Sequence, residues 1–361
     1  VCGWGGGGGG GGGGGTAPLT FDTAANVGDV VTITVDSVTA NMIYANDQAS
    51  IIFPFSPSTG GEPTDNTCAT LTRKFFMSET EVTNALMVKV LQWAYDNDKF
   101  STTVGDPNGL NSTTVKHGGK QLLDLSNGDM KISYNTETNK FSVTAGYEDH
   151  PVVCVTWYGV IMFCNWLTEM RDGNTANVVY TNIDTTWEHE ETGIDDNKTG
   201  YRLPSSEEWE YAARYIGTTE PTEENLASEY VARGLREGHE TLTEGYYWTP
   251  GNYASGAIKE NNPFNLNETR LVGWCKGDPG MGEGGDKLMP VGLKRVNQLG
   301  LYDMSGNVWE LCSNLVTEGN SRVKRGGSWK YDDQNMSVGV GYTESPTFCS
   351  NNIGFRFART Q

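Results

Sequence analysis

Apolar and polar residues first alternate at Asp29-Val-Val-Thr-Ile-Thr-Val-Asp36, the pattern of a half-buried strand. Ile51-Ile52-Phe53 predicts a second short strand. The stretch from Ser56 to Thr67 is rich in Gly, Pro, Asp and Thr and reads as a loop. Helical spacing follows. Leu86, Val90 and Trp93 recur at i, i+4 and i+7 behind Thr83, a good N-cap. Val160, Phe163, Cys164 and Leu167 form an apolar stripe behind Thr156, and Asp172-Gly173 ends it. Ser205-Ser-Glu-Glu208 is a capping box in front of Trp209, Ala212 and Ala213. All three stripes read as core-facing. From Gly234 to Pro290 periodicity fades, which predicts a long irregular region.

A chain of 361 residues holds two domains or one large one, with ample material for a core. The 10 Trp, 16 Tyr, 12 Phe and 46 Gly suit a loop-heavy globular domain. A net charge of −19 argues against nucleic-acid phosphate or anionic lipid as partners. The seven cysteines include no CxxC pair. Cys154, Cys164 and Cys312 sit in apolar runs, so free buried thiols are the first expectation. One or two disulfides stay open. His117, His150, His189 and His239 are scattered, with no helical pair to build an iron or zinc site. No run of about 18 apolar residues exists, so no transmembrane helix is expected.

The N-terminus is Val1-Cys2-Gly3-Trp4 followed by Gly5 to Gly15. Glycine loses the most entropy on ordering and buries nothing, so residues 1–16 read as a flexible tether and 17–361 as the folded domain. A near-terminal cysteine on such a tether resembles a mature bacterial lipoprotein acylated at Cys2. That implies display at a bacterial cell surface, anchored in the outer membrane by lipid alone. Secretion or display on a virion is the other placement, and a plain linker the other reading of the glycines.

Five segments carry a resemblance. They are Phe76-Met-Ser-Glu-Thr-Glu-Val-Thr-Asn84, His150-Pro-Val-Val-Cys-Val-Thr-Trp157, Tyr201-Arg-Leu-Pro-Ser-Ser-Glu-Glu-Trp-Glu-Tyr-Ala-Ala-Arg214, Gly300-Leu-Tyr-Asp-Met-Ser-Gly-Asn-Val-Trp-Glu310, and the frame running from Arg325-Gly-Gly-Ser-Trp329 to Gly354-Phe-Arg-Phe-Ala358. In this order they resemble the formylglycine-generating-enzyme-like (sulfatase-modifying-factor) family. The resemblance implies one α+β domain of C-type-lectin-like fold, with few regular elements and much loop. The enzymes of that family use two cysteines inside the last frame. By spacing, those slots here hold Tyr331 and Met336, neither of which supplies a thiolate. The expectation is therefore a non-catalytic binding protein. The alternative is an oxygen- and metal-dependent oxidase acting on a cysteine substrate.

Within the family the chain looks most like the variable ligand-binding proteins of diversity-generating retroelements, whose C-terminal segment varies on a fixed backbone. Residues 325–358 match that segment. The slots resembling varied positions are Tyr331, Asp332, Asn335, Val340, Tyr342, Thr343, Ser345, Thr347, Phe348, Ser350 and Asn351. Tyr and Phe offer contact area at little entropic cost, and Ser, Thr, Asn and Asp offer adaptable hydrogen bonds, the mixture of antibody paratopes. These eleven are expected to form one exposed face for a protein or other surface ligand, with Trp329 and Phe355 as buried frame. An ordinary surface strand pair is the alternative. No cofactor is required. Calcium-binding members imply a structural Ca²⁺ site from Asp303, the carbonyls of Gly306 and Val308, and Glu310. The alternative there is a turn in which both carboxylates bond to backbone.

Overall fold

Three capped helices stand where the apolar stripes place them. The computed structural model describes residues 19–57, 63, 67–100, 106–181, 197–219, 242–257, 266–282, 286–316 and 320–361. Helix α1 runs Asn84–Asp96 behind Thr83, whose hydroxyl accepts from the Leu86 N–H. Helix α2 runs Trp157–Asp172, capped by Thr156 and ended by Gly173 at φ 68. Helix α3 runs Ser206–Arg214. Its capping box is formed in both directions between Ser205 and Glu208. Helix α2 differs from the expected stripe, because every residue from Trp157 to Thr168 is buried. Such all-round burial marks an interior helix.

Two sheets carry the rest. A five-stranded sheet runs in the order Val30–Val35, Val38–Asn46, Phe75–Ser78, Ala358–Thr360, Tyr201–Arg202. All its pairs are antiparallel. The strand expected at Asp29–Asp36 is thus one edge of this sheet, and Tyr201–Arg202 is the other. The second sheet is ordered Gly341–Glu344, Ser321–Arg325, Trp309–Val316, Ile353–Gly354, with only the last pair parallel. The predicted Ile51–Phe53 strand pairs with Cys68–Leu71.

Two large apolar clusters lie on opposite faces of the five-stranded sheet, Met42, Tyr44 and Phe76 entering one and Ile43, Phe75 and Met77 the other. One holds α1, α2, Trp309, Phe355 and Phe357, and the other holds Trp209, Tyr211, Trp248, Cys312 and Val323. The expected loop at Ser56–Thr67 lies mostly outside the described residues, as do parts of 234–290. What is described of the latter contains the short strand Tyr247–Trp248 and a helix, α4, at Leu266–Val272. Cys154, Cys164, Cys275, Cys312 and Cys349 are free thiols, with Cys154, Cys164 and Cys312 buried. Cys2, the glycine run, His189 and His239 lie outside the described residues. No helix among the described residues is long and apolar enough to cross a membrane.

Candidate functional site

The C-terminal segment is fastened at both ends by buried guanidinium groups. Arg325 pairs with Glu210 at 2.8 Å, and donates to Ser206 Oγ and the Ser56 carbonyl at 2.9 Å each. Arg356 grips Glu310 with two bonds, Nε to Oε2 at 2.6 Å and Nη2 to Oε1 at 2.7 Å, and also donates to the carbonyls of Ser78 and Tyr302. Both arginines are fully buried. The planar guanidinium suits such paired recognition, and a buried charge demands it. After Arg325 the chain needs a tight turn. Gly327 sits at φ +78, where a Cβ would meet the Asn335 carbonyl oxygen at 2.5 Å.

Between the clamps, three aromatic side chains stand in solvent. Tyr331, Tyr342 and Phe348 are 43%, 40% and 45% exposed. Tyr342 lies opposite Lys324 across the sheet, and Lys324 lies opposite Leu311. Side chains two apart on a strand share a face, so Trp309 joins Lys324 and Tyr342. Trp309 is the buried platform of this group. Tyr342 meets it edge-on at 5.4 Å and Tyr331 at 6.0 Å. Lys324 Nζ lies over its ring at 5.6 Å and bonds Glu344 at 2.9 Å. Sequence reasoning missed Trp309, Lys324 and Glu344. The alternation around Trp309 was the available signal, but it needed the sheet register to be read.

Asp332, Ser345 and Thr347 are exposed, and Asn335, Ser350 and Asn351 half-buried. Asn351 joins the group through Lys330, whose Nζ donates to its Oδ1 at 2.9 Å, and through Trp329, whose indole N–H donates to its carbonyl at 3.4 Å. Ser345 and Thr347 hydroxyls bond each other at 2.9 Å. Two expectations need correction here. Val340 is buried at 7% and belongs to the larger core cluster. The Val338 and Gly339 amides are tied to the Tyr253 and Gly251 carbonyls, so the chain passes through the interior just before Val340. Thr343 is exposed, but neighbours on a strand point to opposite faces, so it leaves the face that Tyr342 shares with Trp309. The eleven positions therefore do not make a single face. Of the two frame aromatics, Phe355 is fully buried, while Trp329 is only half-buried.

Tyr331 and Met336, the positions that the resemblance matches to the family's cysteines, differ in exposure. Tyr331 is on the surface and Met336 is wholly buried. Cys154, Cys312 and Cys349 lack the lowered thiol of a nucleophile. Burial pushes the Cys154 thiol up to about 12, and raises Cys312 and Cys349 as well. A thiol so shifted is protonated at neutral pH.

The residues of the expected calcium set have protein partners of their own. Glu310 spends both oxygens on Arg356, and Oε2 also accepts from the Trp209 indole at 2.5 Å. A guanidinium already supplies positive charge at Glu310, which is held in a buried ion pair and accepts three hydrogen bonds. Gly306 and Val308 are buried beside it. Asp303 Oδ2 accepts from the Gly292 amide at 2.7 Å, while its Oδ1 is buried without a partner. Burial, with Glu310 adding its charge, pushes the Asp303 carboxyl up to about 6. Burial and the charges of Asp303 and Glu310 raise Glu81 well above the carboxylate range. Glu81 in turn accepts from the Val308 amide and the Asn307 side chain.

A family model described as the sulfatase-modifying factor enzyme 1-like domain matches residues 58–361. The chain belongs to that family. The strands Val30–Val35 and Val38–Asn46 precede the matched region yet share its main sheet. Over 316 residues the chain is 25% identical to the formylglycine-generating enzyme of Streptomyces coelicolor, covering 79% of this chain and 78% of that one. Over 203 residues it is 30% identical to the chaperone protein LppX of Paenibacillus barcinonensis, covering 50% of this chain and 60% of LppX. Its fold is similar to that of Treponema denticola variable protein 1, with a TM-score of 0.49 at 22% identity, covering 92% of this chain and 99% of that one.

Proposed function

We propose that the chain is a non-catalytic, ligand-binding member of its family, with the binding surface centred on Tyr331, Tyr342 and Phe348. One observation carries this. Among the described residues, these three are the aromatic members of the exposed large hydrophobic set, and all lie between the two arginine clamps. Exposed aromatic rings on a rigid base are what interfaces use as anchors. Tyr331 and Met336 in place of the family's two cysteines support the same reading, since the oxidase chemistry needs a thiolate at each slot. Family membership alone decides neither way. On this reading Cys2 carries a lipid anchor that displays the domain at a cell surface. Mass spectrometry of the membrane-derived protein checks this, and an unmodified Cys2 counts against it.

An array of bacterial and host surface proteins and glycans tests the binding role. The wild-type chain should bind a small set of spots. The triple variant Tyr331→Ala, Tyr342→Ala, Phe348→Ala should lose them and keep its fold. A control with Leu271→Ala and Leu293→Ala, exposed side chains outside the segment, should retain them. Unchanged binding by the triple variant overturns the assignment of the surface. Conversion of a sulfatase-type Cys peptide to formylglycine, with copper and oxygen, overturns the non-catalytic reading.

A further inference from the structure

A cavity of about 480 Å³ opens where the C-terminal segment meets the scaffold. That size accepts a small organic ligand or a single large side chain. Trp329 and Asn351 supply one wall, and Tyr147, His150 and the run Lys287–Pro290 supply others. The half-exposed Trp329, anomalous as a frame residue, is accounted for by this wall.

The charges in the cavity are unevenly committed. Asp129 accepts from the Asn351 side chain, and Asp286 accepts from the Gly277 amide at 2.5 Å. The two cations are looser. Lys131 Nζ reaches the Gly128 carbonyl only at 3.4 Å and lies over the Tyr147 ring at 5.0 Å, and Lys287 is exposed. His150 stacks at a tilt against Tyr147, with ring centroids 4.6 Å apart. Its Nδ1 is buried with no hydrogen-bond partner. A buried polar atom left unpaired costs free energy that a ligand can recover. Burial first, then Lys131 and Lys287, hold the imidazole below its usual range, against Asp149 and Glu148, which raise it. The ring is thus neutral at pH 7 and able to donate or accept at Nδ1.

We propose that this cavity is a binding site for a small carboxylate carried on a ring or short apolar body. The carboxylate lies toward Lys131, Lys287 and His150, and the body rests on Tyr147, Trp329 and Leu288. The chain's net charge of −19 repels anions in general, so an anion site needs local cations of this kind. The site shares Asn351 with the C-terminal group, but Tyr331, Tyr342 and Phe348 do not line it, so each can fail without the other.

The test uses three probes on the full chain: phenylacetate, benzylamine and acetate. Imidazole resonances are followed by NMR, with the His150 signal identified by its loss in His150→Gln. Phenylacetate should shift that signal saturably and raise the pH at which it titrates, because a bound anion favours the imidazolium. Acetate, with no body to pack, should bind at least tenfold more weakly, and benzylamine should not compete. Lys131→Gln with Lys287→Gln should weaken phenylacetate at least tenfold, as both lysines are outside the core. The triple alanine variant of the aromatic group should bind phenylacetate as wild type does. Failure of phenylacetate to move His150, equal binding of benzylamine, or an unaffected double lysine variant each overturns the site.

Discussion

Tyr342 sets its ring edge on the face of Trp309, with centroids 5.4 Å apart and planes at 84°. One of these rings is 40% exposed and the other almost completely buried. The pair joins a side chain free to meet a ligand to one that holds the sheet together. Tyr342→Ala should therefore cost more than a surface change does, about 0.5–1.5 kcal/mol from the lost aromatic contact. Phe348 has no aromatic partner among the described residues, so Phe348→Ala should stay within about ±0.5 kcal/mol. Urea denaturation of both variants measures the difference, and equal costs would show that the Trp309 contact contributes nothing.

Phe355 and Trp329 should separate in the same measurement. Phe355 is fully buried and meets Phe163 edge-on at 5.1 Å. Phe355→Ala should cost roughly 3–5 kcal/mol. Trp329 lines an open cavity, so Trp329→Ala should cost less than that while altering what the cavity holds. A larger loss for Trp329 would place its ring in the core.

Arg356→Met should cost about 3–5 kcal/mol, because it leaves the Glu310 carboxylate buried with its main partner gone. Adding Glu310→Gln should recover part of the loss by removing the stranded charge. No recovery in the double variant would mean that Arg356 acts through the Ser78 and Tyr302 carbonyls alone.

Asp303 gives a pH signature. Its folded carboxyl titrates at about 6, above the ordinary 3.8. The folded state therefore binds this proton more tightly than the unfolded state. Its contribution to stability is present at low pH and is lost as pH rises from about 4 through 6. Asp303→Asn cannot ionise, so it should exceed wild type by roughly 1–3 kcal/mol at pH 7.5. The gap should narrow as pH falls and close below about pH 3.8. A gap independent of pH would mean the carboxyl is protonated throughout.

The helices were legible because their signals are local. Thr83, Thr156 and the Ser205–Glu208 box each act within one turn of the helix they start. The edge strand Val30–Val35 was legible because alternation survives when one face is wet. Strands of two residues, such as Tyr201–Arg202 and Ile353–Gly354, carry no period at all. The site was legible as a segment and not as a surface. Val340 and Thr343 look as variable as their neighbours, and only the path through Gly251 and Tyr253 and the sheet register assign them. Glu310 looked like a metal ligand because its partner, Arg356, lies 46 residues away.

The two clamps have a consequence for how such a chain can change over generations. Arg325 and Arg356 anchor the segment to residues outside it: Glu210, Ser206 and Ser56 at one end, Glu310, Ser78 and Tyr302 at the other. On the proposed binding role, substitutions at its solvent-facing positions act on recognition while leaving these anchoring contacts untouched. A lineage can try many surfaces in succession without first having to rescue the fold, so novelty in what is recognised and persistence of the scaffold cease to compete.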